Sequence, residues 1–87
     1  MNSKQRQTLA AIFSTPIRSD IKWINIESLF KALGGTISQG KGSRVRVSLN
    51  GVKAVFHNPH PERETNKGAV KSVQEFLINA GVNNHDY

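Results

Sequence analysis

The sequence predicts an α+β fold of two layers, a three-stranded antiparallel sheet with helices on one of its faces, in the order α-α-β-β-β-α. Three observations lead there. Asn50-Gly51 stands between two segments of alternating apolar and polar residues, the pattern of a β-hairpin closed by a type I′ turn. Apolar residues recur at intervals of three and four over Trp23–Leu33 and again over Val70–Ala80, the spacing of one helix face. Glycine follows each stripe, at Gly34 and Gly81, where a helix end takes left-handed backbone without strain.

In chain order, a first helix is predicted from about Ser3 to Phe13, with Leu9, Ile12 and Phe13 on one face and Ser3 as its N-cap. Pro16 stops it, and Ile17–Lys22 is read as a connection. The second helix carries Trp23, Ile26, Leu29, Phe30 and Leu33 as its stripe. Asn25 is expected to cap its start, Glu27 to sit in its first turn, and Trp23 to anchor the core. Thr36–Gln39 is a short strand, and Gly40-Lys41-Gly42 a turn into the hairpin. That turn lacks the spacing of a nucleotide-binding P-loop.

A two-residue loop at Asn50-Gly51 dictates the hairpin register: Leu49 opposite Val52, Val47 opposite Ala54, Val45 opposite Phe56. These share one face, because side chains alternate along a strand. The other face receives Ser48 with Lys53, Arg46 with Val55, and Arg44 with His57. A slip of one residue would drive Arg44 and Arg46 into the core, so the register is strongly specified. Beyond the hairpin, His57-Asn58-Pro59-His60-Pro61 is read as extended and Glu62–Lys67 as a charged loop. A third helix runs from Asn66 or Lys67 to Ala80, and the tail Val82–Tyr87 is expected to fray.

The length of 87 residues fits one domain over 1–87 with a thin core. No cysteine is present, so neither a disulfide framework nor a thiolate metal site is available. No apolar run reaches the roughly 20 residues that span a bilayer, and the N-terminus lacks the apolar segment of a signal peptide. The expected location is cytoplasmic. Twelve Lys and Arg against six Asp and Glu leave a net charge of +6, which favours an anionic partner. Nucleic acid and an acidic protein fit better than a membrane, because no basic amphipathic helix with large apolar residues stands out.

The basic hairpin face concentrates the candidate chemistry. RNA cleavage needs a group to deprotonate the 2′-hydroxyl, a group to protonate the leaving oxygen, and positive charge beside the phosphorane. His57, His60 and Arg44 can supply these without a metal or other cofactor. A bland reading stands beside this one: a strand-end histidine, a histidine between prolines, and solvated face charges. A zinc site on His57 and His60 is disfavoured, since residues three apart on extended backbone point to opposite sides.

The chain resembles the HicA family of bacterial toxins from Trp23 to Gly81. The resemblance is carried by Gly40-Lys41-Gly42-Ser43, the hairpin after it, the histidine-bearing third strand, and Lys67-Gly68-Ala69-Val70 opening a helix that ends in Ala80-Gly81. It implies a double-stranded-RNA-binding-like fold, metal-independent cleavage of messenger RNA, and neutralisation by a HicB-type antitoxin. The candidate RNA-binding residues are Lys41, Ser43, Arg44, Arg46 and Lys53, since the hairpin face carries three positive charges and no acidic partner. There is one departure. The family usually places a histidine directly after Gly-Ser, where this chain has Arg44. Three accounts follow: the imidazole has moved across the hairpin to His57, the reaction relies on Arg and Lys with a weaker base, or the protein binds RNA or an antitoxin without cutting.

Overall fold

A computed structural model describes residues 1–57 and 63–84. The elements are α1 (Ser3–Ile12), β1 (Ile21–Lys22), α2 (Trp23–Ala32), β2 (Thr36–Gln39), β3 (Arg44–Leu49), β4 (Val52–His57), β5 (Glu64–Thr65) and α3 (Lys67–Asn79). Strands β2, β3 and β4 form an antiparallel sheet in that order, and the helices cover one face of it. The α-α-β-β-β-α order is as predicted.

The hairpin register is also as predicted, from Leu49↔Val52 through Val45↔Phe56 to Arg44↔His57. Asn50 and Gly51 take φ of 51° and 81°, positive at both central positions as a type I′ turn requires. Asn50 has a second task. Its Nδ2 donates to the Ala80 carbonyl at 2.9 Å, tying the turn to the end of α3.

Helix ends account for most of the differences from expectation. Asn2, not Ser3, caps α1: its side chain accepts the Gln5 N–H while the Gln5 side chain accepts the Asn2 N–H, both at 2.8 Å. Asn25 does not cap α2, which begins two residues earlier with Lys22 at the cap position and no side-chain cap. The Trp23 amide donates instead to the Arg63 carbonyl at 3.1 Å, so a tertiary contact does the work of a cap. Glu27 accordingly lies beyond the first turn. At the C-terminus of α2, Gly34 takes φ 91°, and the Gly34 and Gly35 amides donate to Lys31 and Phe30, a Schellman motif. The same motif ends α3 at Gly81, with Val82 donating to Leu77. Val82 is therefore buried rather than frayed, because the residue after the left-handed glycine turns back onto the helix. The rest of that tail reaches beyond the described residues.

Two stretches read as loops pair with each other. Ile21↔Thr65 and Lys22↔Glu64 form a two-stranded ribbon that fixes how the chain enters α2 and α3. The core between the layers gathers Leu9 and Ile12 from α1, Trp23, Ile26, Leu29 and Phe30 from α2, Val45, Val47, Leu49 and Phe56 from the sheet, and Val70, Val73, Phe76 and Leu77 from α3. Four aromatic rings meet at its centre. Phe30 lies 6.4 Å from Trp23, 5.9 Å from Phe56 and 5.5 Å from Phe76, centroid to centroid. Trp23 is fully buried, as expected of a core anchor. Among the described residues no helix is long and apolar enough to cross a membrane.

Candidate functional site

Alternation on β2, β3 and β4 sends every second residue away from the helices, which leaves one sheet face open. The pairings arrange that face in three rows. Thr36, Ser48 and Lys53 form the first, and Ser38, Arg46 and Val55 the second. In the third, the Gly40 amide donates to the Arg44 carbonyl at 2.8 Å, and Arg44 pairs with His57. All of these side chains are exposed except Ser48, which is half-buried.

The turn before β3 completes the third row. Gly42 takes φ 65°, and the tight Gly40–Arg44 closure puts Lys41 at the exposed tip. Ser43 follows, with its Oγ 3.4 Å from His57 Nδ1. That contact is long for a hydrogen bond, but its direction has consequences. If the ring donates from Nδ1 to Ser43 Oγ, Nε2 is bare and faces solvent as an acceptor; the opposite direction leaves the proton on Nε2.

Of the residues singled out from sequence, Arg44, Arg46, Lys53 and His57 share the face, and Lys41 and Ser43 stand at its His57 end. His60 lies outside the described residues. The Ser43–His57 contact was not foreseen, although the placement of Ser43 directly before Arg44, the partner of His57, was a usable signal. In the sequence Gly40 likewise reads only as part of a turn. A Cβ there would lie 3.3 Å from Arg44 Cβ and 3.7 Å from Arg46 Nε, so its bareness lets both arginine side chains lean over the end of β2.

Electrostatically the face is one-sided. Among the described residues none of Lys41, Arg44, Arg46 and Lys53 pairs with a carboxylate. The exposed Arg18–Asp20 pair, with its shortest contact 2.7 Å, lies elsewhere, beside α1 and β1. There the hydrogen bond from Arg18 holds the Asp20 carboxyl below the usual carboxylate range and raises the guanidinium. Among the described residues no group of three His, Cys, Asp or Glu side chains converges as metal ligands would.

A second depression flanks β4, between His57 and the start of α3, lined also by Val55, Thr65, Asn66 and Gly68. Asn66 caps α3 there, accepting the Ala69 N–H at 2.8 Å.

A small two-layer α+β domain with a bare cationic sheet face, an exposed imidazole at one end of it and a glycine-bounded turn beside that imidazole is the arrangement found. The family profile described as HicA toxin of bacterial toxin-antitoxin matches residues 23–82, well over half of the chain. The chain belongs to the HicA family and is a toxin of a toxin–antitoxin system, which implies an antitoxin partner. The matched span takes in the whole three-stranded sheet and both α2 and α3. No curated protein and no solved structure matches the chain.

Proposed function

We propose that the protein is a metal-independent endoribonuclease, one domain over residues 1–87, that cleaves messenger RNA in the cytoplasm and so inhibits translation, and that a HicB-type antitoxin neutralises it. The observation that carries this reading is the pairing of His57 with Arg44 on the open cationic face. Arg44 occupies the usual position of the family histidine. Directly opposed residues on antiparallel strands bring their Cβ atoms to about 5 Å, so the cross-strand pairing returns an imidazole to the neighbourhood of that position.

The chemistry follows from the groups present. His57 Nε2 takes the proton of a ribose 2′-hydroxyl, while Ser43 Oγ accepts from Nδ1–H and keeps the ring in the tautomer that can do so. The 2′-oxygen attacks the adjacent phosphorus, the bond to the 5′-oxygen breaks, and the products are a 2′,3′-cyclic phosphate and a 5′-hydroxyl. His60 is the acid of this scheme, returning a proton to the departing oxygen. Arg44 and Arg46 neutralise the charge that grows on the phosphorane. Lys41, Ser43 and Lys53, with the same arginines, hold the RNA backbone. No cofactor enters any step.

The antitoxin partner is proposed to cover the same face with an acidic surface, which would silence the toxin by occupying its cations. Arg44 in place of histidine supports a second reading, an RNA-binding relative without the cutting step.

Incubating purified protein with a long messenger RNA in EDTA, beside the His57→Ala protein, separates the readings. Discrete fragments with 2′,3′-cyclic phosphate ends from the unmodified protein alone are the expected result, together with loss of toxicity in cells producing His57→Ala. Fragments from both proteins would keep the nuclease and remove His57 from its centre. Bound but intact RNA in both would establish the second reading.

A further inference from the structure

The open face holds more than cations. Its middle is a shallow depression lined by Thr36, Ser38, Arg46, Ser48, Lys53 and Val55. We infer that this depression is a subsite for one unpaired nucleobase of a single-stranded RNA, next to the phosphate served by His57. The inference deepens the ribonuclease reading and rests on it for the identity of the ligand as RNA.

Val55 is the first reason. It is 58% exposed, an aliphatic side chain standing in water two residues from Lys53, two from His57, and directly opposite Arg46. Its neighbours in sequence, Ala54 and Phe56, point to the core, so the fold makes no use of Val55 itself. Single exposed apolar residues are common on protein surfaces and need no explanation. An apolar floor among unpaired cations is different, because it offers a polyanion something besides charge.

Arg46 is the second. It lines the depression, and its Nε lies 3.7 Å from where a Cβ of Gly40 would be, so its side chain reaches from the second row towards the β2 end of the third. A guanidinium plane stacks on a nucleobase as readily as it pairs with phosphate. The hydroxyls of Thr36, Ser38 and Ser48 are the third. They share the face by register, and none is engaged in a hydrogen bond among the described residues. A hydroxyl both donates and accepts, so these groups can meet the edge of a base held over Val55. The distance also suits neighbouring nucleotides, since residues two apart on a strand are separated by about 7 Å.

The subsite selects strand type as well. In an A-form duplex the base faces are covered by their stacked neighbours and only edges show in the shallow minor groove, so no base can lie over Val55, whereas a single strand can splay one out. A protein segment with an aliphatic side chain is the competing occupant, and the following test includes it.

In the His57→Ala background, so that RNA stays intact, the full chain is titrated with a short single-stranded oligoribonucleotide and with one of equal length whose central nucleotides lack bases, at about 150 mM salt. The base-bearing strand should bind about fivefold tighter, the worth of covering part of an exposed aliphatic side chain. Val55→Ser should reduce that ratio to about twofold or less while leaving the salt dependence unchanged. Ser48→Ala, in a separate protein, should alter the ranking among homopolymers but not the affinity for the abasic strand. Equal binding of the two strands by the parent protein would overturn the base subsite, leave RNA binding intact, and give the depression to a protein side chain. An unchanged ratio in a folded Val55→Ser protein would overturn it too. Absence of binding to either strand at low salt would defeat the RNA reading as a whole, a distinguishable failure.

Discussion

The two faces of the sheet are made of the same strands and differ in nearly every physical respect. Val45, Val47, Leu49 and Phe56 are at most 6% exposed and packed against the helices. Arg44, Arg46 and Val55, each next in sequence to one of these, and Lys53, between Val52 and Ala54, stand in solvent, and none of the three cations has a carboxylate partner among the described residues. On the inner face each side chain is determined by its neighbours. On the outer face the fold asks only that residues be compatible with extended backbone. Identity there is free to serve binding, and a face with so much unpaired charge of one sign makes little sense as scaffolding. Stability should therefore respond to the inner face and RNA affinity to the outer one.

The largest expected effect lies at the centre of the core. Phe30 meets Trp23, Phe56 and Phe76, so Phe30→Ala removes a ring from an aromatic cluster that joins α2, the sheet and α3. A loss of about 3–5 kcal/mol is expected. In a domain of this size that corresponds to a fall in Tm of more than about 12 °C, measured by thermal unfolding followed by circular dichroism. A fall of only a few degrees would mean that the inner face is far less specified than its burial implies.

A smaller effect is expected where the two layers touch. A Cβ on Gly35 would lie 3.0 Å from the Phe30 carbonyl oxygen and 3.2 Å from that of Ser48. Both obstacles are backbone, so neither can rotate aside. Gly35→Ala should destabilise by about 1–3 kcal/mol, read as a lower urea midpoint. Ser48 belongs to the outer face, so this substitution also sharpens the comparison: if β3 shifts to admit the methyl group, RNA affinity changes with stability, and if α2 shifts instead, affinity stays where it was.

How much of this was legible follows the same division. The hairpin could be read to the residue, because Asn50-Gly51 admits one loop and alternation admits one register. The juxtaposition of Arg44 and His57 came with it. The β1–β5 ribbon could not be read, since two residues are too few to show alternation and Ile21 and Thr65 are far apart in sequence. The start of α2 was missed for a related reason: its first amide is satisfied by the Arg63 carbonyl, a distant backbone group that leaves no signature beside Trp23. Val82 reads as tail because a polar stretch follows it, whereas Gly81 turns it onto α3. At the candidate site, the Ser43–His57 contact depends on the left-handed conformation of Gly42, which the sequence allows but does not demand. The place of histidine in this chain was readable only because the register put His57 opposite Arg44.

The smallest expected effect on stability is the sharpest test. Arg46→Gln with Lys53→Gln removes two cations from adjacent rows of the outer face while keeping both positions polar. Surface substitutions of this kind change stability by no more than about 0.5 kcal/mol. Here the change should be upward if anything, since a chain of net charge +6 is relieved of self-repulsion. RNA binding should respond in the opposite sense. Each lost phosphate contact on a single strand lowers the slope of log K against log salt by about 0.7, so the pair should flatten it by about 1.4. A protein that melts where it did before and binds RNA with a flatter salt dependence separates the two faces by experiment. A marked loss of stability would show the outer cations to be part of what holds the fold. An unchanged slope would move the phosphate contacts off the first two rows and onto Lys41, Arg44 and the turn beside His57, leaving the middle of the sheet to whatever Val55 receives.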